Sequence, residues 1–123
     1  MPNTADMGML DGIFAAIDDK DVSGLLGYLT NDASFRFGSA PAAEGHAAIR
    51  AAVGAFFDSI SALSHTLDNA IRSGDTLFCE GQVSYKRHDG TSVTLPFADV
   101  FEMDGDLIAS YKIYMDIAPL FAE

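Results

Sequence analysis

The sequence predicts an α+β fold in which three helices pack into a strongly curved sheet around an apolar interior. Apolar residues recur at intervals of three and four over most of the first half of the chain, the period of an amphipathic helix. Beyond Ser64 the period changes to two, and short glycine turns separate the segments, as in antiparallel strands. With 123 residues, 49% of them hydrophobic, the chain suffices for one domain over 1–123 with a buried core.

Three helices are predicted ahead of the main sheet. Residues 6–18 carry apolar side chains at helical spacing, 22–29 form a shorter pattern of the same kind, and 46–60 present a third apolar face. The segments between the second and third helices are predicted to be a turn, a brief strand and a loop: Thr30–Asp32, Ser34–Phe37 and 38–45.

Four strands in an antiparallel meander are predicted to follow. Their turns combine glycine with polar residues: Ser73–Asp75, Asp89–Gly90 and Asp104–Asp106. Gly81 and Pro96 interrupt the strand pattern, and such residues are expected at bulges or bends, which curl a sheet around its helices. Residues 118–123 are predicted to be a short tail folded over or beside the resulting cone.

One residue breaks the alternation of apolar and polar faces in these strands. The inward positions of the third strand are apolar except for a single carboxylic acid: Leu95, Phe97, Asp99, Phe101 and Met103. A buried carboxyl group must be paired, protonated or facing a ligand, because an isolated buried charge is very costly. Asp99 is therefore either a neutral acid that serves a ligand or a structural carboxyl group paired with His65, Asn69 or a backbone amide.

Other inward residues complete the candidate site. His65 is the candidate proton acceptor beside Asp99, and these two are the predicted catalytic residues. Asn69 and Tyr111 are candidates for orienting a polar group of a ligand. The predicted apolar contacts to that ligand come from seven further residues, for which plain core packing is the alternative: Phe14, Phe37, Phe57, Phe97, Phe101, Ile113 and Met115.

Composition excludes several classes of partner. A formal net charge of -11 repels phosphate backbones and anionic lipid surfaces, so neither nucleic acid nor membrane is expected as a partner. The single cysteine, Cys79, cannot form an internal disulfide, which suits a reducing compartment and a cytoplasmic location. The spacing of the histidines predicts no metal site, and no nicotinamide or flavin motif is present, so no cofactor is expected.

The outer face of the predicted sheet mixes apolar and polar side chains without a run of charge: Gln82, Thr94, Val100, Lys112 and Tyr114. Such a face suits a homodimer interface, although a solvated sheet face has a similar composition. We therefore expect a homodimer through the outer sheet face.

The order of several short motifs resembles the NTF2-like superfamily, specifically its SnoaL-like members, over nearly the whole chain. The motifs are turn and cap signals in a fixed order: Asp32–Phe35, Gly45–Ile49, Ser73–Asp75, Asp89–Gly90, Ala98–Phe101, Asp104–Gly105 and Tyr114–Asp116. The resemblance implies an NTF2-like cone, in which three N-terminal helices pack into a strongly curved mixed, mainly antiparallel sheet with a central pocket. It also implies that the protein is a dimer.

The catalytic residues of related enzymes can be compared with this sequence position by position. Of the three groups that ketosteroid isomerase needs, the base falls at Phe37 and the tyrosine at Ile13, and only the protonated acid is retained, at Asp99. The charged set of limonene epoxide hydrolase is absent, since Val83 and Gly81 occupy two of its positions. Neither known mechanism can therefore operate here unchanged.

The resemblance leaves enzymatic activity open. It implies a pocket that binds a small, mostly hydrophobic molecule bearing a carbonyl or hydroxyl group. Proton transfer of the isomerase, cyclase or dehydratase kind would then involve Asp99 and His65. The alternative is a non-catalytic ligand-binding module or a dimeric protein-interaction module.

Overall fold

The computed structural model describes residues 4–122, which form four helices and six strands. The helices are α1 (Thr4–Asp18), α2 (Val22–Leu26), α3 (Gly45–Asp58) and α4 (Ala118–Phe121). The strands are β1 (Leu29–Phe37), β2 (Ala43–Glu44), β3 (Ala62–Ser73), β4 (Thr76–Lys86), β5 (Ser92–Asp104) and β6 (Leu107–Tyr114). The predicted α+β class is confirmed, with a fourth helix where a tail was expected.

All six strands join one curved, open sheet in the order β2-β1-β6-β5-β4-β3. Strands β3 to β6 form the predicted antiparallel meander, and β1 pairs with β6 in parallel, so the sheet is mixed and mainly antiparallel. The prediction of a turn at Thr30–Asp32 is wrong, because β1 already begins at Leu29, which is paired with Ile108. These polar residues lie in the irregular stretch of β1, between its pairs Leu29–Ile108 and Ser34–Ser110 with β6.

A register shift in β3 changes which side chains face the interior. Leu67 is paired with Gly81 and Asn69 with Glu80, so one extra residue lies between these pairs on β3. Before the bulge the alternation is as predicted, but after it Asn69 and Ile71 are exposed on the outer face and Ala70 turns inward. The predicted inward position of Asn69 is therefore wrong.

The bulge explains why β4 carries a glycine. A Cβ at Gly81 would collide with the backbone oxygen of Thr66 on β3, so no larger residue fits there without moving a strand. Pro96, in contrast, keeps regular register opposite Gln82, and the expected bulge at this proline is not found. Of the two strand irregularities read from the sequence, only Gly81 lies at a bulge.

Helices α1 and α3 supply the apolar layer that packs on the inner face of the sheet. Leu10 and Ile13 of α1 and Ile49 of α3 are fully buried, because the apolar stripe of each amphipathic helix faces the sheet. Two acidic residues are buried among the described ones, Asp6 and Asp99. No helix among residues 4–122 is long and apolar enough to cross a membrane.

Candidate functional site

A cavity of about 620 Å³ lies between the inner face of the sheet and the helices. This volume is within the range of small-molecule pockets, roughly 300 to 1,000 Å³. Its walls are mostly aromatic and aliphatic, and the polar groups that line it are few, chiefly His65, Tyr85, Asp99 and Tyr111. An apolar cavity with a few convergent polar groups is the usual form of a ligand site.

Most of the predicted site residues line this cavity: Phe37, Phe57, His65, Phe97, Asp99, Tyr111, Ile113 and Met115. Three do not. Asn69 lies on the outer face and donates a hydrogen bond to Glu80 Oε1 at 2.7 Å. Phe101 is fully buried against Tyr111, with ring centroids 4.5 Å apart. Phe14 packs behind the wall on His65, at 4.8 Å between ring centroids.

The cavity also contains residues that were not among the predicted contacts. Phe35, Phe56, Val83 and Tyr85 line its apolar walls, and residues 116–118 together with Phe121 form part of its mouth. A signal for Tyr85 was available in the sequence, because it alternates with Val83 on the inward face of β4. No local sequence pattern predicts that residues 116–118 and Phe121 line the cavity, because their position depends on where α4 packs.

Asp99 is held at the cavity wall by its neighbours on β4 and β6. It is 2% exposed, and in the β4–β5 register it is the partner of Cys79. The hydroxyl of Tyr111 donates to Asp99 Oδ2 at 3.2 Å, and the thiol of Cys79 approaches the same oxygen at 4.0 Å. The other oxygen, Oδ1, is buried without a hydrogen-bond partner among the described residues. Neither His65 nor Asn69 pairs with this carboxyl group.

Burial makes Asp99 a weak acid. Desolvation raises its pKa to about 8 from an ordinary 3.8, and the hydrogen bond from Tyr111 only partly opposes this rise. Burial, followed by the charge that Asp99 acquires when ionised, also raises the pKa of Tyr111 and of Tyr85. At neutral pH the wall therefore presents a carboxylic acid and two phenols, all protonated and able to donate hydrogen bonds.

His65 is paired with a residue of α1 instead of with Asp99. Its Nδ1 lies 2.6 Å from Asp18 Oδ1, and its backbone N–H donates to Asp18 Oδ2 at 3.0 Å. Burial lowers the pKa of His65 more than the hydrogen bond and charge of Asp18 raise it, so the imidazole is neutral at pH 7. Because a carboxylate accepts, we assign the ring proton to Nδ1, which leaves Nε2 as a proton acceptor.

The sequence profile of the SnoaL-like domain family matches residues 10–111. The chain belongs to the SnoaL-like family. Among curated protein sequences, none matches this SnoaL-like protein significantly.

Solved structures show the same fold. An NTF2-like protein of unknown function from Burkholderia pseudomallei superposes with a TM-score of 0.87 at 19% identity, covering 97% of this chain and 96% of that one. TerC, co-crystallised with polyporic acid, gives a TM-score of 0.84 at 18% identity, with 96% of each chain covered. A protein proposed to be a SnoaL-like polyketide cyclase from Jannaschia sp. gives 0.81 at 13% identity, covering 98% and 94%.

Although the SnoaL-like protein is acidic, its potential metal-ligating side chains are not clustered among the described residues. Within residues 4–122, no group of three or more His, Cys, Asp and Glu side chains is arranged to hold a metal ion.

Proposed function

We propose that the cavity binds a small, mostly hydrophobic molecule bearing a carbonyl or hydroxyl group, and that the protein catalyses proton transfer on it. The observation that carries this proposal is Asp99, a protonated acid in an apolar cavity with one oxygen left without a partner. A buried polar group without a partner is costly, and a ligand that supplies one recovers that cost. The cavity's phenylalanines supply the apolar contact.

The polar end of the ligand binds at Asp99. Tyr111 donates to Oδ2, so in the neutral acid Oδ2 acts as acceptor and the proton resides on Oδ1. Asp99 Oδ1–H then donates to the carbonyl oxygen of the ligand. As the α-carbon loses a proton, negative charge develops on that oxygen, and the bond strengthens in the low-dielectric site. One such donor contributes roughly 10²- to 10³-fold to a rate.

His65 provides the base in this scheme. Its Nε2 accepts the proton from the carbon next to the carbonyl, and the electrons of the C–H bond form the enolate that Asp99 holds. The imidazolium is stabilised by Asp18, and it returns the proton to another carbon of the same molecule or to its oxygen. No external oxidant or reductant is needed, which suits isomerisation, cyclisation or dehydration. Asp18 itself is a positioning residue.

A neutral fluorescent ketone tests binding directly. We suggest 6-propionyl-2-(dimethylamino)naphthalene, because it carries one carbonyl group on an apolar aromatic body and its emission responds to polarity. Asp99→Asn keeps an N–H donor and should bind at pH 7 like the wild type, whereas Asp99→Leu should weaken binding about tenfold through the lost hydrogen bond. Above pH 8, where the wild-type acid ionises, its affinity should fall by up to about tenfold per pH unit, and that of Asp99→Asn should not. A wild type that does not bind this ketone, or binds it without pH dependence, contradicts the proposal.

Proton transfer can be measured on the same molecule. In D₂O, His65 should exchange the protons next to the carbonyl, which proton NMR follows as loss of the methylene signal. His65→Gln should lose this exchange and keep binding. His88→Gln is the matched control, because His88 is exposed, its Nε2 lies 2.9 Å from Asp58 O, and it does not line the cavity. Binding without any exchange in the wild type would favour the non-catalytic alternative.

One observation favours that alternative. Ile71 and Phe78 are 59% and 42% exposed, and they form a row with Val100 across the outer faces of β3, β4 and β5. Such a row suits a homodimer interface through the outer sheet face. In the alternative the cavity serves as a carrier site without catalysis, and the protein acts as an interaction module. Under either hypothesis we place the protein in the cytoplasm, because a free thiol such as that of Cys79 is typical of a reducing compartment.

A further inference from the structure

The last helix of the described chain lies at the mouth of the cavity. Asp116, Ile117, Ala118 and Phe121 all line it. Leu120 is 3% exposed and packs into the core, whereas Phe121 is 56% exposed although it lines the cavity. Apolar surface gains free energy when it leaves water, so contact of this side chain with a bound molecule would be favourable.

An arginine from the β4–β5 hairpin holds this helix in place. Arg87 Nε donates to Leu120 O at 2.9 Å, and Arg87 Nη2 donates to Pro119 O at 2.9 Å. Nη1 donates to Thr91 Oγ1 at 3.1 Å, which fixes the guanidinium on its own hairpin. Two parallel hydrogen bonds from a guanidinium fix both position and orientation.

The helix depends on these attachments because it is too short to be stable alone. α4 contains 4 residues, far below the length at which isolated helices form. Its start is held by Asp116 Oδ1, which accepts from the backbone N–H of Ala118 at 3.0 Å. Two side chains fix the rest of the helix: Leu120, which is buried in the core, and Arg87, through its guanidinium. Without Arg87, only Leu120 would hold this part of α4.

We infer that α4 is the gate of the cavity, that Phe121 closes over the bound molecule, and that Arg87 is the positioning residue that keeps the gate shut. The inference deepens the proposed function, because the molecule that passes the gate is the ligand of the same cavity. Arg87 contacts no ligand itself. It sets the rate at which α4 opens, and Phe121 adds apolar contact once α4 has closed.

The first experiment follows opening without a ligand. Amide hydrogen exchange of Leu120, whose N–H bonds to Ile117 O at 3.0 Å, is measured in the wild type, in Arg87→Gln and in Arg50→Gln. Arg50 is exposed, and its Nη2 donates to Ser23 Oγ at 3.1 Å on another surface. Arg50→Gln therefore removes the same charge as Arg87→Gln and is the matched control. Losing two charge-assisted hydrogen bonds should speed exchange by at least about tenfold in Arg87→Gln. Equal exchange in the two variants overturns the gate.

The second experiment measures passage through the gate. Stopped-flow fluorescence with 6-propionyl-2-(dimethylamino)naphthalene should show both association and dissociation rate constants about tenfold higher in Arg87→Gln, since the gate lies on the path in both directions. Phe121→Ala should mainly speed dissociation, and Arg50→Gln should match the wild type. Faster exchange at Leu120 with unchanged rate constants for the ketone overturns the gate.

The two experiments also separate this inference from the proposed function. If the wild type does not bind the ketone at all, the proposed function fails for this class of molecule. The amide exchange of Leu120 then tests the inference about α4 by itself. Faster exchange in Arg87→Gln supports Arg87 as the anchor of α4, and equal exchange in the two variants overturns that role.

Discussion

Replacing Asp99 by Asn should make the protein's stability less sensitive to alkali. The amide has the shape of the neutral acid, and its oxygen can still accept from Tyr111, as Asp99 Oδ2 does at 3.2 Å. What the substitution removes is the titration of a group that is 2% exposed in the folded protein. The wild type and the variant therefore differ chiefly in how strongly the free energy of unfolding depends on pH.

The sign of the effect follows from the raised pKa of Asp99. The unfolded chain releases this proton near an ordinary aspartate pKa of 3.8, whereas the folded protein keeps it up to about 8. The folded state therefore binds more protons in this window, and the free energy of unfolding falls as the pH rises. The stabilisation is fully present below about pH 4 and lost by the folded pKa near 8.

The magnitude is large relative to the stability of a small domain. One group contributes a slope of about 1.4 kcal/mol per pH unit, so the wild type should lose on the order of 4 kcal/mol relative to Asp99→Asn between pH 5 and pH 8. Whole domains are stable by only about 5 to 15 kcal/mol. Above pH 8, where both states of the wild type have released the proton, the difference should become constant.

Urea unfolding followed by circular dichroism measures this difference at each pH from 5 to 9. The titration of His65 is common to both proteins and cancels in the comparison. Asp68→Asn, which changes an exposed carboxylate of β3, is the control for altered net charge. A difference that does not vary between pH 5 and pH 9 would show a carboxyl group of ordinary or lowered pKa, as in a solvated or a paired carboxylate. That result refutes the reasoning and removes the proton donor from the proposed mechanism.

Three further predictions concern other parts of the molecule. Asp18→Asn should lower the pKa of His65 further, because the hydrogen bond and charge of Asp18 both raise it; an NMR titration of the imidazole carbons checks this, and an unchanged value would contradict the pairing. Gly81→Ala should destabilise the protein by about 2 kcal/mol or more, since its Cβ would meet the Thr66 oxygen; unfolding of the variant in urea measures this. Phe78→Lys should shift the molecule to a monomer in sedimentation equilibrium if the outer face forms the homodimer, and an unchanged mass would contradict that interface.

Much of the candidate site could be predicted because strand alternation is a local property. The sequence placed Phe97, Asp99 and Tyr111 on the inner face, and all three line the cavity. The same rule placed Asn69 inward and was wrong, because one extra residue in β3 reverses the alternation beyond Leu67. Gly81 on the neighbouring strand marks the place of the bulge but does not show which strand carries the extra residue.

The side-chain pairings between distant elements could not be predicted from the sequence. His65 was expected beside Asp99, but its partner is Asp18, 47 residues away at the end of α1. Asp99 instead accepts a hydrogen bond from Tyr111, its diagonal neighbour on β6. Thr30 likewise lies within β1 and not in a turn, between the pairs Leu29–Ile108 and Ser34–Ser110 that join β1 to β6. Each of these outcomes depends on how whole elements dock.

The sequence by itself determined the order of α1 to α3 and of β3 to β6, and the burial of Asp99, because hydrophobic periodicity and turn chemistry act within a few residues. Only the tertiary structure decided which groups meet: Asp18 with His65, Tyr111 with Asp99, and Arg87 with the helix at the cavity mouth. The physical reason is that a pKa or a hydrogen bond depends on distances of a few ångströms. Those distances are set by strand register and helix docking over the whole chain.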